Sequence, residues 1–256
     1  MQIDGKVFIV TGASEGIGAA CAAELARYGA RLSVTARSEE ALQRAAPGAL
    51  VTPGDITQEN TRRAVVERTL ERYGAIDVLV NCAGAGLYLP SWEAPMEEAR
   101  RLMELNFFAL LGMSQLVAAH MRARRQGCIV NVSSIAGKVT LPWLTLYSAS
   151  KSAVGALTEG LRMELRRDGV RTMLVCPGYV KTNFQRNALA GQPPAGIVQG
   201  RAFAIDAAQC AAAIRRGLER DARTIVTPRS GWALAALARV FPALIEERLA
   251  RVNGTA

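Results

Sequence analysis

The sequence predicts an α/β fold of the Rossmann type: a doubly wound parallel sheet of about seven strands with helices on both faces. Three observations carry that expectation. Short apolar runs rich in β-branched residues alternate with helical patterns along the chain, and strands covered on both faces read as such continuous runs. A glycine-rich turn separates the first run from the first helix. No linker, repeat or low-complexity stretch divides the middle, so the 256 residues read as one domain, 1–256.

The elements follow in order. Lys6–Thr11 (KVFIVT) is a strand that leads through the glycine turn into an alanine-rich helix over Ile17–Tyr28. Arg31–Ala36 is the second strand, with a helix over Glu39–Ala46 behind it; Val51 lies in a third that ends near Asp55. A helix from Gln58 to Tyr73 precedes the strand Val78–Val80 and the turn Asn81-Cys-Ala-Gly84. A long helix runs from about Met96 to Arg124, where the basic stretch Arg122-Ala-Arg-Arg125 suits the negative end of a helix dipole. The strand Cys128–Val132 comes next, then a helix from about Tyr147 to Arg167 and the buried strand Val170–Cys176, stopped by Pro177-Gly178. Asp206 reads as the N-cap of a helix through Leu218, and Thr224–Val226 as the last strand. Right-handed crossovers and a reversal of strand order open a ligand crevice at the carboxyl ends of such strands.

Composition narrows the function classes. Half the residues are hydrophobic and 21% are charged, enough apolar material for a large core. No signal-peptide pattern opens the chain and no apolar run approaches the roughly 18 to 20 residues of a membrane span, so a soluble cytoplasmic protein is expected. The five cysteines are scattered, without a CxxC pair, and read as buried free thiols; no metal site is expected. His120 is the only histidine, and its place in a helical pattern favours packing over a catalytic triad. The net charge of +9 comes largely from arginines spread along the chain, and aromatics are only 5%, so nucleic-acid binding is not expected.

Gly12-Ala-Ser-Glu-Gly16-Ile-Gly18 lies between the first strand and first helix, where glycines let the backbone approach a pyrophosphate that the helix N-terminus stabilises. Its spacing is G-x₃-G-x-G. Sites for NAD place an acidic residue about 20 positions on to accept from the ribose hydroxyls. Here Thr35-Ala36-Arg37-Ser38 stands instead, and the Arg37 guanidinium suits a 2′-phosphate, which favours NADP(H) over NAD(H). Glu15, in a turn position where a basic residue would help, weighs the other way.

Tyr147-Ser-Ala-Ser-Lys151 opens a helix, and residues four apart share a face. A phenol ionises near pH 10, a poor base at neutrality, and a neighbouring ammonium lowers that value. Ser134, in Asn131-Val-Ser-Ser-Ile-Ala-Gly137 at a strand's carboxyl end, is placed to hold a substrate oxygen as charge develops; a turn serine is the alternative, and fits Ser133.

With these residues the chain resembles the compact, single-domain short-chain dehydrogenases/reductases over about residues 4 to 228. The landmarks are Thr11–Gly18 (TGASEGIG), Asp55-Ile56, Asn81-Cys-Ala-Gly84, Asn106, the serine motif, YSASK, and Pro177-Gly178 followed by Thr182. The resemblance implies hydride transfer between a nicotinamide and a carbonyl or secondary alcohol, the alternative being a non-catalytic, cofactor-binding regulatory protein on the same fold. Tyr147 is then the acid/base, and Ser134 orients the substrate oxygen. Lys151 lowers the tyrosine's pKa and holds the nicotinamide ribose, and Asn106 anchors a water in a proton relay. It further implies cofactor contacts from Gly12, Ser14, Gly16, Ile17, Gly18 and Arg37, with Asp55 and Ile56 at the adenine. Asn81, Ala83 and Gly84 line the cleft, Cys82 stands where a second asparagine is common, and Pro177, Gly178, Val180 and Thr182 lie at the nicotinamide end. Homodimers or tetramers through the long helices are the family's habit.

Specificity is expected from the loops over the strand ends. Leu87, Tyr88, Leu141, Trp143, Leu144 and Phe184 suit a hydrophobic ketone or alcohol, and residues 183–204, with Gly191-Gln-Pro-Pro-Ala-Gly196, read as a lid. In the extension 231–256, Trp232, Leu234, Leu237, Val240, Phe241, Leu244, Ile245 and Leu249 share a helical face that Pro242 should divide. An interface or a cover over the active site, a peripheral membrane contact, and core packing are the alternatives there.

Overall fold

The computed structural model describes residues 1–192 and 204–252. Residues 193–203 of the expected lid and 253–256 of the extension lie outside the described residues. In chain order the elements are β1 (Val7–Thr11), α1 (Gly16–Arg27), β2 (Arg31–Thr35), α2 (Glu39–Ala45), β3 (Leu50–Val51), α3 (Glu59–Tyr73) and β4 (Val78–Asn81). Then come α4 (Met96–Met103), α5 (Ala109–Arg124), β5 (Gly127–Val132), α6 (Thr145–Glu164), β6 (Val170–Pro177) and β7 (Val180–Lys181). Last are β8 (Ile205–Asp206), α7 (Ala207–Glu219), β9 (Thr224–Thr227), α8 (Gly231–Val240) and α9 (Pro242–Val252).

Seven strands form one parallel sheet in the order β3-β2-β1-β4-β5-β6-β9, the doubly wound topology expected. Alternation along each strand divides the core between two faces. Phe8 and Val10 join Val34, Val80, Val130 and Val175 under α1 and α7, through Cys21, Leu25, Ile214 and Leu218. Ile9 joins Leu79 and Ile129 under α3 and α5, through Val65, Met113, Val117 and Met121. Because β1 leads outward to β2 on one side and β4 lies on the other, the strand order reverses between β1 and β4, and the crevice opens there.

The structure departs from the expectations in four places. The long helix is interrupted: Glu104–Phe108 forms one π-helical turn between α4 and α5. Taken whole, Met96–Arg124 is long and apolar enough to cross a membrane by length and composition, although scattered polar residues hide this when only unbroken apolar runs are sought. It serves instead as a core helix, with Met113, Val117 and Met121 against the sheet. Helix α6 starts at Thr145 and ends at Glu164, giving way to a 3-10 turn over Arg166–Asp168. Finally, β7 and β8 pair as a small second sheet, so Asp206 both ends a strand and caps α7 reciprocally with Gln209.

Candidate active site

The carboxyl ends of β1, β4, β5 and β6 share one edge of the sheet, and hydrogen bonds tie them together there. Thr11 Oγ1 at the end of β1 accepts from the backbone N–H groups of Cys82 (3.0 Å) and Ala83 (3.2 Å), which draws the Asn81–Gly84 turn against the glycine turn. Gly12 has φ +67°, and a Cβ there would lie 2.7 Å from Ala83 Cα, so only glycine fits the approach. The first helix starts at Gly16 with Glu15 as N-cap and no side-chain cap, leaving the N–H groups of its opening turn for a ligand. Thr182 packs beside this turn, its methyl 3.4 Å from where a Cβ on Gly16 would stand. Ser14 and Ile17 are half-buried in the turn and Gly18 is buried.

The Glu15 carboxylate is exposed and does not cap the helix. It accepts from Asn183 Nδ2 (3.3 Å) and Asn187 Nδ2, so the loop beyond β7 is tied to the glycine turn. Nothing in the sequence marks that contact, since the partners are 168 and 172 positions apart. Arg37, at the end of β2, is exposed and forms no ion pair among the described residues. Asp55 is engaged locally: its Oδ1 accepts from Thr57 N (2.9 Å) and Thr57 Oγ1 (2.8 Å), turning the chain into α3, while Ile56 is buried. The Asn81 side chain lies beneath the cleft, donating to Ser114 Oγ (3.1 Å) and Asn131 Oδ1 (2.9 Å). Asn81 therefore lines the cleft with its backbone. Gly178 N donates to Thr227 O (2.8 Å), which fixes the Pro177-Gly178 step at the sheet edge. Val180 is half-buried in β7.

Tyr147 and Lys151 lie one turn apart on α6, both buried, with Lys151 Nζ 5.8 Å from the centre of the phenol ring. Lys151 Nζ donates to Val132 O at the end of β5 (3.0 Å), and Ser133 Oγ donates to Lys151 O (2.8 Å), which locks α6 onto that strand. Ser133 is thus the structural serine of the pair. Ser134 caps the 3-10 turn Ile135–Gly137 by accepting from Ala136 N (3.1 Å) and hydrogen-bonds the Tyr147 side chain. Asn106 is fully buried in the π turn; its Oδ1 accepts from Ala85 N (2.9 Å), and its Nδ2 donates to Ala85 O (3.0 Å) and Ser150 Oγ (3.1 Å). A Cβ on Gly84 would stand 3.0 Å from Asn106 Oδ1 and 3.3 Å from Lys151 Nζ, so these three converge.

Burial governs the electrostatics of the Tyr147–Lys151 pair. Burial pushes the Tyr147 phenol up to about 12; the Ser134 hydrogen bond opposes that shift without overcoming it. Burial also pushes the Lys151 ammonium down to about 8. Withdrawal from water is the largest influence on both groups. The Cys82 thiol is pushed up to about 12 by burial and is neutral where the asparagine is common.

Five of the six expected pocket residues gather over Tyr147: Leu87, Tyr88, Leu141, Leu144 and Phe184 form one apolar cluster with it. Phe184 stands edge-on to the Tyr147 ring, 5.5 Å between centres. Trp143 is not in that cluster; its backbone is left-handed (φ +65°), a strained conformation just before α6. Backbone bonds from Leu189 N to Gly86 O (2.9 Å) and from Tyr88 N to Ala190 O (3.0 Å) hold residues 189–190 over this cluster. His120 is remote from the site, since it shares the amino end of the sheet with Asp77 and Arg124, whose charges act on it.

A family model described as short chain dehydrogenase matches residues 6–193. A protein named dehydrogenase/reductase SDR family protein 7-like, from Anopheles gambiae, is 30% identical over 276 positions, covering 99% of this chain and 86% of that one. A short chain dehydrogenase/reductase from Burkholderia phymatum in complex with NAD superposes with a TM-score of 0.86 at 28% identity, covering 95% of this chain and 96% of that one. A short chain dehydrogenase from Burkholderia cenocepacia in complex with NADP gives 0.82 at 30%, covering 97% and 99%.

Proposed function

The chain belongs to the short-chain dehydrogenase family, and from that premise we propose that it is an NADP(H)-dependent oxidoreductase acting on a hydrophobic ketone or secondary alcohol. The observation that carries this is the convergence of Tyr147, Ser134, Lys151 and Asn106 on one glycine-lined crevice. The residues present fit a dinucleotide. The glycine turn leaves α1 uncapped for a pyrophosphate, Gly84 leaves room that a Cβ would fill, and Arg37 offers an unpaired fork to a 2′-phosphate. When bound, the nicotinamide supplies or accepts the hydride.

The chain's own residues manage the proton. Ser134 and Tyr147 hold the substrate oxygen between them, and the phenol, protonated throughout the neutral range, gives its proton to that oxygen as a carbonyl is reduced. A phenol so reluctant to ionise favours reduction at neutral pH. Lys151 stays largely cationic below about pH 8 and is placed to bind the ribose hydroxyls, while Asn106 fixes the Ala85 backbone against the base of α6. Phe184 and its apolar neighbours exclude water and select a hydrophobic substrate. The reading includes a homodimer or tetramer through the helical run Met96–Arg124 and α6, where Phe108 in the π turn and Met163 on α6 stand exposed.

The test is a panel of aromatic ketones, steroids, acyl thioesters and aldoses, followed by NADPH and NADH absorbance. Aromatic or alicyclic ketones should turn over with NADPH preferred, and Arg37→Ala should reduce that preference by about tenfold or more, the loss of one charge-assisted contact. Turnover confined to aldoses sinks the substrate reading. An NADH preference indifferent to Arg37→Ala sinks the cofactor reading.

A further inference from the structure

Beyond β9 the chain forms a helical hairpin, α8 and α9, in which no residue from Gly231 to Arg251 is buried. Its foot rests on the body: a Cβ on Gly231 would meet Val226 at 2.6 Å and Ile135 at 3.4 Å. Its tip, Val240-Phe241-Pro242-Ala243-Leu244, is wholly apolar and uncovered, with Val240, Phe241 and Leu244 exposed to 66%, 54% and 62%. Trp232 and Leu237 continue the apolar surface along α8. A soluble surface tolerates single apolar residues readily, but a contiguous patch of this kind marks something that covers it.

The charge around the patch indicates what that is. Arg229, Arg239 and Arg248 form no ion pair among the described residues, and only Arg251 is matched, to Glu247. Glu246 is the sole other acid between residues 229 and 251. Of the three arginines, Arg239 and Arg248 flank the apolar tip, and two unmatched guanidinium groups there call for phosphate oxygens, which they bind as planar forks. A second copy of the chain meeting the tip would bring the same unmatched arginines to the contact. An anionic lipid surface offers both an apolar layer for the tip and phosphates for the rim. Helix α8 has 10 residues, too short for a bilayer whose apolar core needs about 20, so the hairpin lies in the interface.

We propose that the α8–α9 hairpin docks this protein peripherally on anionic membranes, with Val240, Phe241 and Leu244 inserted among the headgroups and Arg239 and Arg248 on lipid phosphates. The inference does not depend on the identity of the substrate or the cofactor. Co-sedimentation of the full chain with vesicles tests it, using phosphatidylcholine alone or mixed with phosphatidylglycerol. The chain should sediment with the mixed vesicles only, and less so as salt is raised. Arg239→Gln with Arg248→Gln should weaken binding about fivefold per arginine. Phe241→Ser with Leu244→Ser should abolish it while circular dichroism and reductase turnover in solution stay at the parent's level, because these side chains are exposed at the tip of the hairpin. The proposal is overturned if the parent chain remains in the supernatant with mixed vesicles, or if the Phe241/Leu244 variant sediments equally well. It is also overturned if those substitutions dissociate a dimer seen by light scattering without changing sedimentation, which would give the tip to a second copy.

Discussion

Tyr147 and Lys151 are held in the wrong medium for their charges, and the site depends on that. The phenol at about 12 stays protonated, and so available as a donor, throughout the neutral range. Carbonyl reduction should therefore hold a plateau through neutral pH and fall above about 8, as Lys151 loses its proton. Alcohol oxidation, which draws on the phenolate, should climb about tenfold per pH unit up to about 8 and level off above it as Lys151 loses its proton; parallel initial-rate profiles in the two directions check this. Lys151 also carries a stability consequence. Its folded value, about 8, lies below the unfolded 10.5, so the buried ammonium opposes folding at neutral pH by about 3 kcal/mol, and the penalty fades as pH rises from about 8 towards 10.5. Lys151→Met should accordingly raise stability at pH 7 by about 1 to 2 kcal/mol, after loss of the bond to Val132 O, while abolishing turnover. The gap to the parent should close over that pH window. Urea melts at three pH values measure it, and a destabilised variant at neutral pH would refute the burial argument.

The elements that position the site were legible wherever a local rule governs them. Apolar runs gave the strands, Pro177 and Gly178 the end of β6, and the four-residue spacing the shared face of Tyr147 and Lys151. The π turn over Glu104–Phe108 was not legible, because its cause is tertiary: Asn106 must turn inward to meet Ala85 and Ser150, and no periodicity in the sequence records that demand. Asn106→Ala should leave the Ala85 N–H and C=O without their partner and destabilise the fold by about 2 to 3 kcal/mol, with a larger fall in kcat than in substrate affinity. Thermal unfolding and steady-state kinetics separate the two effects. The tie between Glu15 and the loop beyond β7 was equally invisible, being made by residues at opposite ends of the sequence. Glu15→Ala frees Asn183 and Asn187 and should loosen Phe184 over Tyr147, raising KM for the ketone several-fold while circular dichroism is unchanged. An unaltered KM would show that the tie does not position the loop.

Over the whole molecule, the doubly wound sheet explains why so much of the chemistry could be read from residue order. Parallel strands deliver their carboxyl ends to one edge, so motifs placed after successive strands meet without any further device. Side-chain electrostatics were less accessible, since the burial that lifts Tyr147 comes from the packing of Phe184, Leu144 and Tyr88 around it, and that of Lys151 from its seat between Val132 and Gly84. Specificity sits in that same apolar cap, built from loops rather than from the sheet. The central claim is that this edge performs hydride transfer with Tyr147 as proton donor. Single-turnover reduction of an accepted ketone by stoichiometric NADPH, in the parent and in Tyr147→Phe, tests it most directly. Nucleotide binding should be retained in the variant and the rate of NADPH oxidation should fall by about 10² to 10⁴-fold; an undiminished single-turnover rate in Tyr147→Phe would contradict it.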